Sequence, residues 1–120
     1  MQGKELIQAA FTCQEVSRVP WVPFVGCHAG KLVGANAQEY LSSSDMMVKG
    51  LEESIERYRP DGIPVTFDLQ LEAEVLGCDL AWAEENPPAV MTHPLESGGS
   101  LDELSIPRPD QGRIGIVLDV

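Results

Sequence analysis

Asp68 closes the apolar run Gly62-Ile63-Pro64-Val65-Thr66-Phe67, and an acidic group where a buried strand ends is placed for chemistry. Behind it, Leu69-Gln70-Leu71-Glu72-Ala73-Glu74-Val75-Leu76-Gly77 has the pattern of the short helix that a strand-to-helix loop feeds. An earlier apolar run, Trp21-Val22-Pro23-Phe24-Val25, likewise ends in polar residues, Gly26-Cys27-His28-Ala29-Gly30-Lys31. A helical stretch separates the two runs. If they are parallel neighbours joined by a right-handed crossover, their carboxyl ends share one edge, where His28, Lys31 and Asp68 converge. That edge is where α/β proteins hold their ligands.

Each of these residues has a functional reading and a plainer one. Asp68 either contacts a ligand or caps the following helix by accepting its free N–H groups. His28 is a proton donor or ligand contact, or else a hydrogen-bonding surface group. Cys27 beside His28 has the chemistry of a nucleophile, but without a third orienting group it reads as a small buried apolar side chain. Lys31 attracts an anionic substrate or is a solvated lysine at a helix start. Glu72 and Glu74 lie two apart and so do not share a helix face, which argues against a paired-carboxylate mechanism. His93, between Thr92 and Pro94, reads as structural.

The elements that must position these groups follow from periodicity. Leu6 with Ala10 and Ile7 with Phe11 predict an amphipathic helix over Gly3 to Thr12, broken at Arg18-Val19-Pro20. Trp21 to Val25 is the first expected strand, despite Pro20 and Pro23. Ala29 to Val33 predicts a short helical turn, and Gly34-Ala35-Asn36 a break before Ala37-Gln38-Glu39-Tyr40-Leu41. Ser42 with Asp45 resembles a capping box for a helix whose stripe is Met47, Val48, Leu51, Ile55 and Tyr58, with Glu53 and Arg57 paired on the wet side. Arg59-Pro60-Asp61-Gly62 ends it. Ile63 to Phe67 then reads as a strand covered on both faces, and Leu71 to Leu76 as a helix. Asp79 to Ala83 and Ala89 to Thr92 predict a small hairpin. Ser97 to Ser100 is a loop, Ser100 with Glu103 a second capping box, and Arg113 to Val120 an apolar segment.

A chain of 120 residues suffices for one modest domain. Eight basic against 19 acidic residues give a net charge of −11, which opposes the phosphate attraction of nucleic-acid binding. No apolar stretch approaches the roughly 20 residues of a membrane span, and the start Met1-Gln2-Gly3-Lys4-Glu5 lacks an apolar signal core, so a cytoplasmic location is expected. Cys13, Cys27 and Cys78 make neither an even set nor a C-x-x-C pair; reduced thiols and no metal site are expected. The order strand, helix, strand, helix argues for an α/β protein with a parallel sheet. Two strong strands are too few for a sheet buried on both faces, and a further part is expected.

Arg18-Val19-Pro20-Trp21-Val22-Pro23, Ala29-Gly30-Lys31, Phe67-Asp68 followed by Glu72-Ala73-Glu74-Val75-Leu76-Gly77, and Pro87-Pro88 before His93-Pro94-Leu95 occur in an order and at intervals that resemble the uroporphyrinogen decarboxylase family. That family includes cobalamin-dependent methyltransferases, which pass a methyl group between a corrinoid and a thiol. The resemblance covers nearly the whole chain and implies the N-terminal third of a (β/α)8 TIM barrel. Residues 1–120 would form a partial barrel domain, with a hairpin insertion at about 79–92 and a later helix opening near Leu118-Asp119-Val120.

In the decarboxylase branch of porphyrin and heme biosynthesis, two arginines after the first strand hold substrate carboxylates, and an aspartate after the second binds pyrrole nitrogens. By position, Cys27 and Lys31 stand where the arginines would be, His28 where a glutamine would be, and Asp68 where the aspartate would be. Neither replacement supplies a bidentate fork. The Gly30-Lys31-Leu32 and Glu72-Ala73-Glu74-Val75-Leu76-Gly77 stretches resemble the methyltransferase branch better. There a zinc held by a His-x-Cys pair and a distant Cys makes the thiol a thiolate. Those ligands belong to the family's C-terminal half.

The resemblance therefore implies an enzyme, a corrinoid-dependent methyltransferase, with Asp68 catalytic and Cys27, His28, Ala29, Gly30, Lys31 and Asp68 lining the substrate site. Its partners would be methylcobalamin or a corrinoid protein and a small thiol. The chain alone is expected to be inactive. The alternatives are a uroporphyrinogen decarboxylase and a non-catalytic binding or assembly module that self-associates through open barrel edges.

Overall fold

The computed structural model describes residues 2–120, so Met1, the first residue of the expected domain and of the start read as lacking a signal core, lies outside the described residues. Helices dominate. In chain order they are α1 (Gly3–Phe11), α2 (Cys27–Leu32), α3 (Ala37–Leu41), α4 (Ser44–Tyr58), α5 (Leu71–Val75) and α6 (Gly112–Leu118), with a 3-10 turn at Leu101–Glu103. Among the described residues no helix is long and apolar enough to cross a membrane.

The caps explain the helix starts. Asn36 accepts from Glu39 N–H at 2.9 Å while Glu39 Oε2 accepts from Asn36 N–H at 2.9 Å, a reciprocal box that opens α3 where a mere break was expected. For α4 the cap is Ser43, whose hydroxyl accepts from Met46 N–H at 3.3 Å, one residue after the expected Ser42. Ser100 caps the 3-10 turn as its spacing predicts. α2 starts at Cys27, two residues before the expected turn, because Gly26 at φ 50° lets the chain bend sharply into it.

Helices α2, α3 and α4 enclose the main core, built from Cys27, Ala29, Ala35, Ala37, Tyr40, Leu41 and Met47. Small residues make the approach very close. A methyl group at Gly30 would sit 2.7 Å from Tyr40 Cβ, and one at Gly50 would sit 2.8 Å from the Ala29 carbonyl oxygen. Gly50, which costs α4 some propensity, thus lets α2 lie on its backbone.

The expected strands Trp21–Val25 and Ile63–Phe67 are not formed as strands, and the described residues hold no parallel sheet. The two segments nevertheless run side by side in one direction. Asp61 N–H donates to Trp21 O at 2.9 Å at their start, and the Phe24 and Phe67 rings lie 5.1 Å apart near their end. Pro20, Pro23 and Pro64 remove three backbone donors, and a parallel pair needs further strands and a cover on both faces. Phe24, 67% exposed, and Leu69, 73% exposed, mark the uncovered side.

The sheet that does form is the hairpin of β1 (Leu80–Ala81) and β2 (Ala89–Val90), antiparallel with Leu80 opposite Val90. Asp79 and Thr92 extend it, Thr92 Oγ1 donating to Asp79 Oδ2 at 2.8 Å. Its tip is docked on α3, with Ala37 N–H donating to Glu84 O at 2.7 Å. The Cα radius of gyration is 17.3 Å, against about 14 Å for a closed domain of this length.

Candidate functional site

The ends of the two segments deliver their trailing residues to one place. A methyl group at Gly26 would lie 3.8 Å from Phe67 Cβ, so the loop into α2 and the loop carrying Asp68 are neighbours. Cys27, the first residue of α2, is buried there. Burial pushes its thiol pKa up and the Asp68 charge adds to that, while backbone hydrogen bonding and the Lys31 charge pull it down. The result is a thiol, rather than a thiolate, at neutral pH. Beneath it Tyr40 is pushed up to about 12, chiefly by burial and then by Cys27.

Asp68 is 8% exposed and both its oxygens are engaged. Oδ1 accepts from Gln70 N–H at 3.0 Å, a local turn contact one residue ahead of α5, which has no side-chain cap, and Oδ2 pairs with Arg113 Nη1. Arg113, on α6, is the residue that sequence reasoning missed. It is 7% exposed, its Nε donates to Glu74 Oε2 at 2.6 Å, its Nη1 also reaches Leu41 O at 3.4 Å, and its guanidinium lies 4.8 Å from the Trp82 ring centre. Arg113 Nη2 and Thr66 Oγ1 are buried without a protein partner. The available signal was a lone cation entering the apolar run Ile114 to Leu118.

His28 and Lys31 turn elsewhere. His28 Nε2 is hydrogen-bonded to Tyr58 Oη at 2.7 Å, beside an apolar hollow of about 200 Å³ lined by Trp21, Pro23, Phe24 and Val25. Lys31 Nζ pairs with Glu85 Oε2 at 3.3 Å on the rim of an open cavity of about 310 Å³ that Asn36 and Glu84 also line. Ala29 and Gly30 face the core rather than a cavity. Lys31 and Asp68 are not paired with each other: each has an opposite charge of its own, and both lie near enough to Cys27 for their charges to act on its thiol. Larger hollows of about 480 Å³ flank α1, away from all these groups. Among the described residues no three His, Cys, Asp or Glu are grouped to hold a metal.

The model of the uroporphyrinogen decarboxylase (URO-D) family matches residues 2–120. The chain belongs to that family. This URO-D chain is 29% identical over 119 residues to the methylcobamide:CoM methyltransferase MtbA of Methanosarcina mazei, a match that takes in 96% of the chain and 35% of the relative. It superimposes on a solved methyltransferase from Methanosarcina mazei with a TM-score of 0.83 at 23% identity, covering 99% of this chain and 36% of that one. That protein is of the TIM-barrel family, so the shared fold is that of part of such a barrel. The chain spans about a third of the length of the relatives it matches.

Proposed function

We propose that this chain is the N-terminal portion of a cytoplasmic corrinoid-dependent methyltransferase that moves a methyl group between methylcobalamin, free or on a corrinoid protein, and a small thiol. In the complete barrel Trp21–Val25 and Ile63–Phe67 become the first two strands and the β1–β2 hairpin is an insertion. Asp68 then lies at the substrate mouth with Cys27, His28 and Lys31, while Ala29 and Gly30 seat α2 on the core. The observation that carries this reading is the likeness over 119 residues to a protein named as a methylcobamide:CoM methyltransferase. The chemistry at α2 supports it. A substrate with many carboxylates calls for rigid guanidinium forks, and the two positions of the family's arginines hold a buried thiol and a lysine engaged by Glu85.

Asp68, fixed by two partners, supplies a stationary carboxylate, and Lys31 supplies a cation that can exchange Glu85 for a substrate anion. On this reading the zinc that thiol activation in this branch calls for would be held by the family's C-terminal half. The isolated 120 residues are then inactive by themselves; methyl transfer by them alone would overturn that half. The test incubates a polypeptide carrying the whole barrel with methylcobalamin and a small thiol, and separately with uroporphyrinogen. Consumption of methylcobalamin is expected. Release of carbon dioxide from uroporphyrinogen instead would assign the decarboxylase activity that the family's name carries.

The uncovered side favours a second reading, a module that assembles through its open edges. Phe24, Phe67 and Leu69 stand exposed beside backbone groups with few partners. Sedimentation over a range of concentrations separates the two, because a persistent monomer is incompatible with assembly.

A further inference from the structure

We propose that Arg113 is the positioning residue of the candidate site, its guanidinium pinning the Asp68 carboxylate where the loop after Phe67 meets the loop into α2. The functional half of this inference rests on the reading of Asp68 given above; the positioning itself does not.

Arg113 arrives from α6, 45 residues beyond Asp68, and its side chain is 8% exposed against 1% for Asp68. A cation so buried must be matched by carboxylates, and the fork is divided between two of them, Nη1 to Asp68 and Nε to Glu74. The Trp82 ring lies against its face and Leu41 O takes a further contact, which leaves the guanidinium one orientation. Asp68 is held as firmly, because its other oxygen is committed to Gln70 N–H. A lysine has no fork and can serve one carboxylate at a time. Arg113 is 7% exposed and its Nη1 is committed to the Asp68 carboxylate, so it acts through Asp68.

The test uses the 120-residue chain, with amide exchange read by NMR. In R113M, and more mildly in R113K, the Gln70 amide should exchange about tenfold faster while the α4 amides stay protected. D68N gives the reciprocal readout: the Arg113 Nη protons should exchange about tenfold faster. This variant keeps the proposal testable if R113M fails to fold.

A readout that simple loosening would not reproduce comes from Cys27 as the sole thiol, in a C13S/C78S background, alkylated across a pH series. The charged or titratable groups near it are Asp68, His28, Lys31 and Tyr40. D68N should lower the midpoint. R113M should change the alkylation rate at fixed pH about threefold when Asp68 is present, and should have no effect when it is added to D68N. Unchanged Gln70 and Arg113 exchange, or an R113M effect of equal size in the D68N background, would overturn the proposal. None of these readouts involves methyl transfer, so failure of the functional reading leaves them standing.

Discussion

Arg113 meets Asp68 out of solvent and Glu74 at its edge, whereas Lys31, on the other flank of α2, meets Glu85 in the open, their side chains 48% and 71% exposed. Charge and partner type are alike in the two pairs, but the surroundings differ. Water screens the outer pair and lets either member leave at small cost. The inner pair has no such replacement, and removing one partner strands a buried charge. Fixed geometry belongs to the Asp68 side of the site, and exchangeable charge to the Lys31 side.

The largest expected effect therefore comes from R113M, which should lower stability by about 3–5 kcal/mol in urea unfolding. A loss below about 1 kcal/mol would erase the contrast. G30A is next. Its methyl group would press on Tyr40 Cβ at 2.7 Å, and a cost of about 1–3 kcal/mol is expected in the same assay.

A third pair sharpens the comparison through pH. Arg18 clasps Asp61 with two contacts of 2.6 Å, and with Trp21 N–H at 2.8 Å it holds that carboxyl at about 2, below its ordinary 3.8. Because the folded value is depressed, the stabilisation is complete above the ordinary value and disappears as pH falls through about 2. Thermal melts between about pH 5 and pH 2 should show this decline, reduced in D61N. The smallest effect is expected from K31M, less than about 1 kcal/mol and shrinking further in salt.

Local structure was legible in the sequence where local forces decide it. The stripe from Met47 to Tyr58 gives α4, Ser100 and Glu103 give their turn, and the runs around Leu80 and Val90 do pair. Asn36-x-x-Glu39 was equally readable as a capping box, and only the neighbouring Gly34 drew attention to a break instead. Periodicity found Trp21–Val25 and Ile63–Phe67 as neighbours in one direction, but an apolar run does not say whether other strands are present to complete a ladder. Asp68 and Cys27 were found as candidates, yet their partner was not. Arg113 is 45 residues from Asp68, and no spacing rule links positions so distant.

The contact of α2 with α4 also sets a mechanical tolerance. With Gly30 against Tyr40 and Gly50 against the Ala29 carbonyl, there is no compressible side-chain layer between the elements. The segment from Cys27 to Lys31 rests, in effect, on a hard stop, and its groups inherit the stiffness of a fifteen-residue helix.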